Sequence, residues 1–173
     1  LLPDGERGKT LAELERAARR LLRAGCTRRS LVVAVGGGAV SDAAGFLAAT
    51  FMRGISWAAV PTTLLAMVDA AIGGKTAVNL PGAKNAVGAF HPPAAVLVDP
   101  AALATLPARE LRSGMGEVLK YAALRPELLG RVSSLGRRAP GPDLVAACAR
   151  AKVEVVRRDP TEQGERKLLN LGH

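Results

Sequence analysis

Residues 61–90 read PTTLLAMVDAAIGGKTAVNLPGAKNAVGAF. An apolar opening leads to an isolated acid, Asp69, then to Gly73-Gly74-Lys75, to Asn79 and to the pair Lys84-Asn85. A segment destined for a core does not set two glycines beside a lysine and then repeat a lysine among small residues. Small residues let a backbone approach a ligand closely. Lysine beside them is a compact point charge suited to an anion. The stretch reads as an anion-binding loop, with a plain glycine-rich surface loop as the alternative.

A second candidate site is Gly36-Gly37-Gly38, followed by Ala39, Val40, Ser41 and Asp42. It joins an apolar, β-branched run (31–35) to an apolar run of helical character (43–52). Strand, glycine turn and helix form a phosphate-binding arrangement, because free N–H groups at the helix start and the helix dipole favour an anion. The pattern is GGGxxxD rather than GxGxxG, so the usual dinucleotide fingerprint is not matched. A purely structural strand-to-helix turn is the alternative.

A third candidate set is Glu117 with His173, one of only two histidines. Arg166, Asn170 and His173 recur at i, i+4 and i+7, which predicts one helical face. A carboxylate with imidazoles suits a catalytic zinc that keeps one position open. Two candidate ligands are present, so either a third comes from beyond His173 or there is no such site. His91, between Phe90 and Pro92-Pro93, reads as a loop residue and is not recruited.

The elements that position these residues follow from periodicity. Thr10 caps a predicted helix, with Glu13 as its capping-box partner and Leu11, Leu14, Ala18, Leu21 and Leu22 at helical spacing. Gly25 ends it. Runs 31–35, 55–60 and 94–98 read as strands, the first as a buried one. Residues 64–70 read as a helix, which Thr62 and Thr63 either cap or leave free to bond a ligand. Alternating strand and helix predict a parallel α/β layer. From Pro107 onward only helices are predicted, over 107–123, 127–135 and 144–157, with no strand signal after Asp99. Glu110, Gly114, Glu117 and Tyr121 share a face of the first of these. The division falls near 100–107: an α/β part over 1–103 and an all-helical part over 104–173.

The chain has 173 residues and a net charge of +9, carried by 18 arginines and 6 lysines. Many arginines lie on an expected helix surface (Arg16, Arg19, Arg20, Arg23) or in short loops (Arg28, Arg29, Arg137, Arg138) and read as a solvated face. Five lysines (Lys9, Lys75, Lys84, Lys120, Lys152) fall in motif-like contexts. Aromatic residues make up 3%, too few for a base-stacking platform. Cys26 and Cys148 form no ligand cluster or disulfide framework, which fits a reducing cytoplasmic setting. The chain starts at Leu1 and ends at His173 within an expected helix, so it reads as a fragment with both ends missing.

These residues together carry a resemblance. The ordered series DGE (Asp4–Glu6) with Lys9, GGGAVSD (Gly36–Asp42), GF (Gly45-Phe46), RG (Arg53-Gly54), PTTLLA (Pro61–Ala66), Asp69, GGKTAVN (Gly73–Asn79), KN (Lys84-Asn85), TLPARE (Thr105–Glu110), SGMGEVLKY (Ser113–Tyr121), Lys152 and ERKLLNLGH (Glu165–His173) resembles the 3-dehydroquinate synthase family over nearly the whole chain. The chain departs from that pattern in small-for-small changes at Ala70, Ala71, Ala77 and Gly116.

The resemblance implies a Rossmann-like parallel-sheet α/β domain that binds NAD, followed by an all-α metal-binding domain. It implies NAD contacts at Asp4, Glu6, Lys9, Gly37, Gly38, Asp42, Thr62, Thr63, Lys84, Thr105, Leu106 and Glu110, with Asp69 near the nicotinamide ribose. It implies zinc, replaceable by cobalt, on Glu117 and His173. It implies that Arg53, Asp69, Lys75, Asn85, Lys120, Lys152, Arg166 and Asn170 converge on an anionic sugar acid phosphate, 3-deoxy-D-arabino-heptulosonate 7-phosphate. The implied reaction is transient oxidation by NAD, phosphate elimination, re-reduction, ring opening and an intramolecular aldol that gives 3-dehydroquinate. The implied whole protein is a cytoplasmic homodimer with no nucleic-acid or membrane partner, and the fragment alone is expected to be inactive and to bind zinc poorly. The competing expectations are a sister sugar-phosphate cyclase such as 2-deoxy-scyllo-inosose synthase, a glycerol dehydrogenase-like polyol dehydrogenase, and a basic nucleic-acid-binding module.

Overall fold

The computed structural model describes residues 2–136 and 138–172. Helix α1 (Leu11–Arg23) starts where Thr10 accepts a hydrogen bond from the Glu13 amide at 3.2 Å. Strand β1 (Leu31–Gly36), helix α2 (Gly38–Thr50) and strand β2 (Ser56–Pro61) follow. β1 and β2 pair in parallel from Leu31↔Ser56 to Gly36↔Pro61. The short strand β5 (Ala95–Val96) adds to β2, again in parallel, giving the order β1-β2-β5. One face of this sheet is covered by α2, through Ala34, Ala44, Leu47, Ala48, Phe51, Trp57 and Ala59, with Leu14, Ala18 and Leu21 of α1 packed behind.

β1 corrects the expectation of a buried strand. Leu31, Val33 and Val35 are 54%, 52% and 61% exposed, and only Ala34 is buried. The strand lies at the sheet edge and α2 covers one face, so the apolar run is half covered.

The Gly/Lys stretch is not a loop throughout. Strands β3 (Lys75–Leu80) and β4 (Ala83–Phe90) form an antiparallel hairpin, a second sheet joined by Pro81-Gly82. Glycine and alanine in β4 mask the strand signal, since strand propensity reflects side chains that pack on a pleated surface. The hairpin lies against α2 because Gly45 lets them touch. A Cβ there would fall 2.4 Å from Thr76 Cγ2 and 2.9 Å from the Trp57 ring. Thr10 bridges Asn79 as well, which ties the start of α1 to β3.

Helices α3 (Ala108–Leu124), α4 (Leu129–Ser133) and α5 (Pro142–Arg158) complete the chain with a 3₁₀ segment, Glu165–Asn170. Their core joins Val118, Tyr121, Leu144, Val145, Cys148 and Leu169 to Leu64, Met67 and Val68. Burial pushes the Cys148 thiol up to about 11, which leaves it inert. The last segment differs from the expected helical face. A 3₁₀ turn has three residues, so i and i+4 do not align; Arg166 is buried whereas Asn170 is exposed. No helix among the described residues is long and apolar enough to cross a membrane.

Candidate active site

Asp69 is the centre of the site. The helix after β2 starts at Thr63, whose hydroxyl accepts from the Ala66 amide at 3.2 Å, so the threonine caps the helix. That helix widens into a single π-turn, Ala66–Ala70, that carries Asp69. Such turns recur at functional sites. Asp69 Oδ1 accepts from Tyr121 Oη at 2.9 Å and pairs with Lys152 Nζ at 2.8 Å and Lys120 Nζ at 3.4 Å. Burial alone would raise this carboxyl; Lys152 and Lys120 outweigh it and bring it to about 2. For Lys152 the balance is reversed: burial holds its ammonium below the usual range despite Asp69. The pair is thus a compromise, with a charged carboxylate and an ammonium held at some cost.

A cleft of about 520 Å³ opens beside Asp69. Asp42, Lys75, Asn85, Lys152, Arg166 and Asn170 line it too. Of the eight residues expected on substrate, six line this cleft and Lys120 reaches it through Asp69. Arg53 does not. It is exposed at the far end of α2, in the left-handed region at φ 67°, where the helix has carried the chain away from Asp42.

Arg166 braces the cleft floor. Its guanidinium donates to the Gly73 carbonyl at 2.9 Å and to Pro160, and a Cβ on Gly73 would fall 2.5 Å from Nη2. Lys75 forms an ion pair with Glu162, and Asn170 Nδ2 donates to the same carboxylate at 2.6 Å. Partial burial, with Arg166 and Lys152 nearby, lowers the Lys75 ammonium. Glu162 is thus a residue of the site that sequence reasoning does not single out, and Tyr121, expected on one helical face with Glu117, carries no expected site role. Glu162 has no periodic signal, since it sits in a turn built on Asp159, which accepts from the amides of Gln163, Gly164 and Arg166.

The expected NAD residues fall in three groups. Gly37 and Gly38 start α2 at the carboxyl ends of β1 and β2, next to Thr63, whose Cγ2 lies 3.0 Å from where a Gly37 Cβ would be. No side chain caps this helix start, so its first amides are available to an anion. Lys9 is buried and pairs with Asp42 at 2.6 Å and Asn85 at 2.5 Å. Burial pushes the Asp42 carboxyl up against that pairing. Glu6 accepts from Asn79 at 2.6 Å, and Asn79 accepts from the Asn85 amide. Asp4 and Lys84 are exposed, and Thr62 accompanies Thr63 with its amide on the Gly36 carbonyl. Thr105, Leu106 and Glu110 stand apart at the entry to α3, Thr105 and Glu110 exposed and Leu106 packed on the helical core.

Of the expected zinc ligands, His173 lies outside the described residues. Glu117 sits on α3 and ion-pairs with Lys120. No group of three metal-ligating side chains occurs among the described residues. His91 Nε2 is 2.9 Å from the Ile55 carbonyl, within the strand connections.

The 3-dehydroquinate synthase N-terminal profile matches residues 1–113, and the C-terminal profile of the same family matches 114–173. The chain belongs to the 3-dehydroquinate synthase family. A 3-dehydroquinate synthase of Xanthomonas axonopodis pv. citri is 52% identical over 98% of this chain and 48% of its own length. The chain therefore spans about half of that relative. The 2-epi-5-epi-valiolone synthase of Streptomyces hygroscopicus subsp. jinggangensis, solved with NAD+ and Zn2+, superposes with a TM-score of 0.86 at 34% identity, over 99% of this chain and 51% of that one. A 2-deoxy-scyllo-inosose synthase complexed with carbaglucose-6-phosphate, NAD+ and Co2+ gives 0.84 at 31% identity, over 98% and 48%. The family's α/β architecture is thus the architecture of this chain.

Proposed function

We propose that the polypeptide carrying this chain is a 3-dehydroquinate synthase, which converts 3-deoxy-D-arabino-heptulosonate 7-phosphate to 3-dehydroquinate and phosphate. The observation that carries this reading is the gathering of Lys75, Lys152, Arg166, Asn85 and Asn170 on the cleft beside Asp69. A substrate with both a carboxylate and a phosphate calls for several cations and amides at one place. Relatives that share half of this chain's residues carry the same name, whereas the sister cyclases are about a third identical.

In this reading residues 1–103 bind NAD and residues 104–173 contribute the helical side of the site. NAD, when bound, would supply a reversible hydride acceptor for the substrate. Gly37, Gly38, Thr62, Thr63 and the Lys9–Asp42 pair would hold the dinucleotide, with Asp69 near its nicotinamide ribose. Lys75, Lys152 and Arg166 neutralise the substrate's anionic groups and stabilise the departing phosphate. Asn85 and Asn170 fix the orientation. Glu117, with His173, would hold a divalent metal; the described residues alone do not complete that site. The enzyme works as a cytoplasmic homodimer, and Arg53 is exposed on the single chain.

Phosphate release on two substrates tests the reading: the seven-carbon acid phosphate and glucose 6-phosphate. Phosphate release with no net NADH, on the first substrate only, is expected. Turnover confined to glucose 6-phosphate, which lacks the carboxylate, would assign a sister cyclase, and net NADH would assign a dehydrogenase.

A further inference from the structure

Tyr121 has a hydroxyl that the mechanism above does not use. The side chain is 1% exposed and packs with Leu64, Met67, Val68 and Val118. A phenylalanine would fill the same space. The hydroxyl adds one hydrogen bond, to Asp69 Oδ1 at 2.9 Å, across 52 residues of sequence. Lys152 and Lys120 approach that same oxygen, and Asp69 lines the cleft.

The three donors differ in what a substrate can do to them. Lys152 lines the cleft, and Lys120 is an ammonium beside it that also donates to the Leu169 carbonyl at 2.9 Å. An arriving phosphate or carboxylate competes with Asp69 for both charges. The buried phenol makes no ion pair that an anion could take away. Burial and the charge on Asp69 push its own ionisation well above the ordinary range, so it remains a donor and does not act as an acid or base. We infer that Tyr121 is a positioning residue: its hydroxyl holds Asp69 by Oδ1 and keeps the other carboxylate oxygen turned to the cleft while the lysines engage substrate. It acts through Asp69 and rests on the reading of the site as a 3-dehydroquinate synthase cleft.

The role predicts a split in the kinetics. In the polypeptide that contains this chain, Tyr121→Phe should lower kcat about tenfold or more, because a hydrogen bond to a charged group is lost when the reacting geometry is formed. KM for the sugar acid phosphate and Kd for NAD should stay within about threefold of the parent, since Lys75, Arg166 and the glycine turn are untouched. A retained melting temperature, within about 3 °C, shows that the ring still packs. As a second measurement, the loss of thermal stability in Tyr121→Phe should shrink in an Asp69→Asn background, because the charged acceptor is gone. An unchanged kcat, or a kcat loss matched by equal losses in NAD affinity and melting temperature, overturns the inference. A parent protein that does not turn over the substrate overturns the functional reading and this inference with it.

Discussion

Lys152 Nζ lies 2.8 Å from Asp69 Oδ1 and donates at 2.7 Å to the carbonyl oxygen of the same residue. One ammonium thus pins both the side chain and the backbone of the π-turn. The grip runs from α5 to the segment that follows β2, across 83 residues. It therefore fixes the acid of the cleft relative to the helices that carry the cations.

Lys152→Met should destabilise the protein by up to about 3 kcal/mol, the low end of the range for breaking a buried pair, because Lys120 and Tyr121 still meet Asp69. Asp69→Asn together with Lys152→Met should cost less than the single lysine change, because the weakened carboxylate is removed as well and Lys120 keeps Glu117. Urea unfolding of both variants measures the difference, and a double variant weaker than Lys152→Met would contradict it.

Asp69 makes stability depend on pH. Its folded value of about 2 is below the ordinary 3.8. A depressed carboxyl contributes stability above the unfolded value and loses it as pH falls through the folded one. Thermal scans should show a stability loss between about pH 4 and pH 2 that is smaller in Asp69→Asn. The buried Lys152, held low by its burial, offsets part of the gain at neutral pH.

Lys75→Ala should affect turnover much more than cofactor binding. Lys75 lines the cleft beside Arg166 and pairs with Glu162, whereas the glycine turn sits at the start of α2 and Asp42, at the cleft wall, is held by Lys9 rather than by Lys75. A fall of about a hundredfold or more in kcat/KM is expected, with NAD affinity within about twofold. Equal losses in both, read from steady-state kinetics and cofactor titration, would count against this division.

Gly45→Ala should cost about 1–3 kcal/mol by overpacking. The added methyl meets Thr76 and Trp57, both buried, so neither swings away freely. The hairpin would be pushed off α2 and the cleft widened. Calorimetry measures the first effect, and a raised KM for the sugar acid phosphate the second.

Much of the helical architecture is legible in the sequence. Thr10 and Glu13, Gly25 and the apolar spacing of 11–22 predict α1 close to its observed bounds. The run 107–123 predicts α3, found as Ala108–Leu124, and 144–157 predicts the body of α5. The strands 31–35 and 55–60 emerge within a residue at either end. Other features are not legible because they rest on small residues or on distant partners. β4 has no strong strand formers at its tip, so the hairpin is hidden until α2 and β3 are beside it. The turn with Glu162 has no period to read. Arg166 and Asn170 share a face only if the segment is α-helical, and it is 3₁₀.

By itself, the sequence determines which residues are available and which local elements form, because caps, glycine turns and apolar periods act over a few neighbours. It also determines family membership, through an ordered series of motifs. Only the tertiary structure decides which oxygen Tyr121, Lys120 and Lys152 share, which carboxylate meets Lys75, and that Arg53 stays out of the cleft. Those contacts join residues dozens of positions apart, and their geometry depends on how α2, the hairpin and the C-terminal helices pack, which no local pattern encodes.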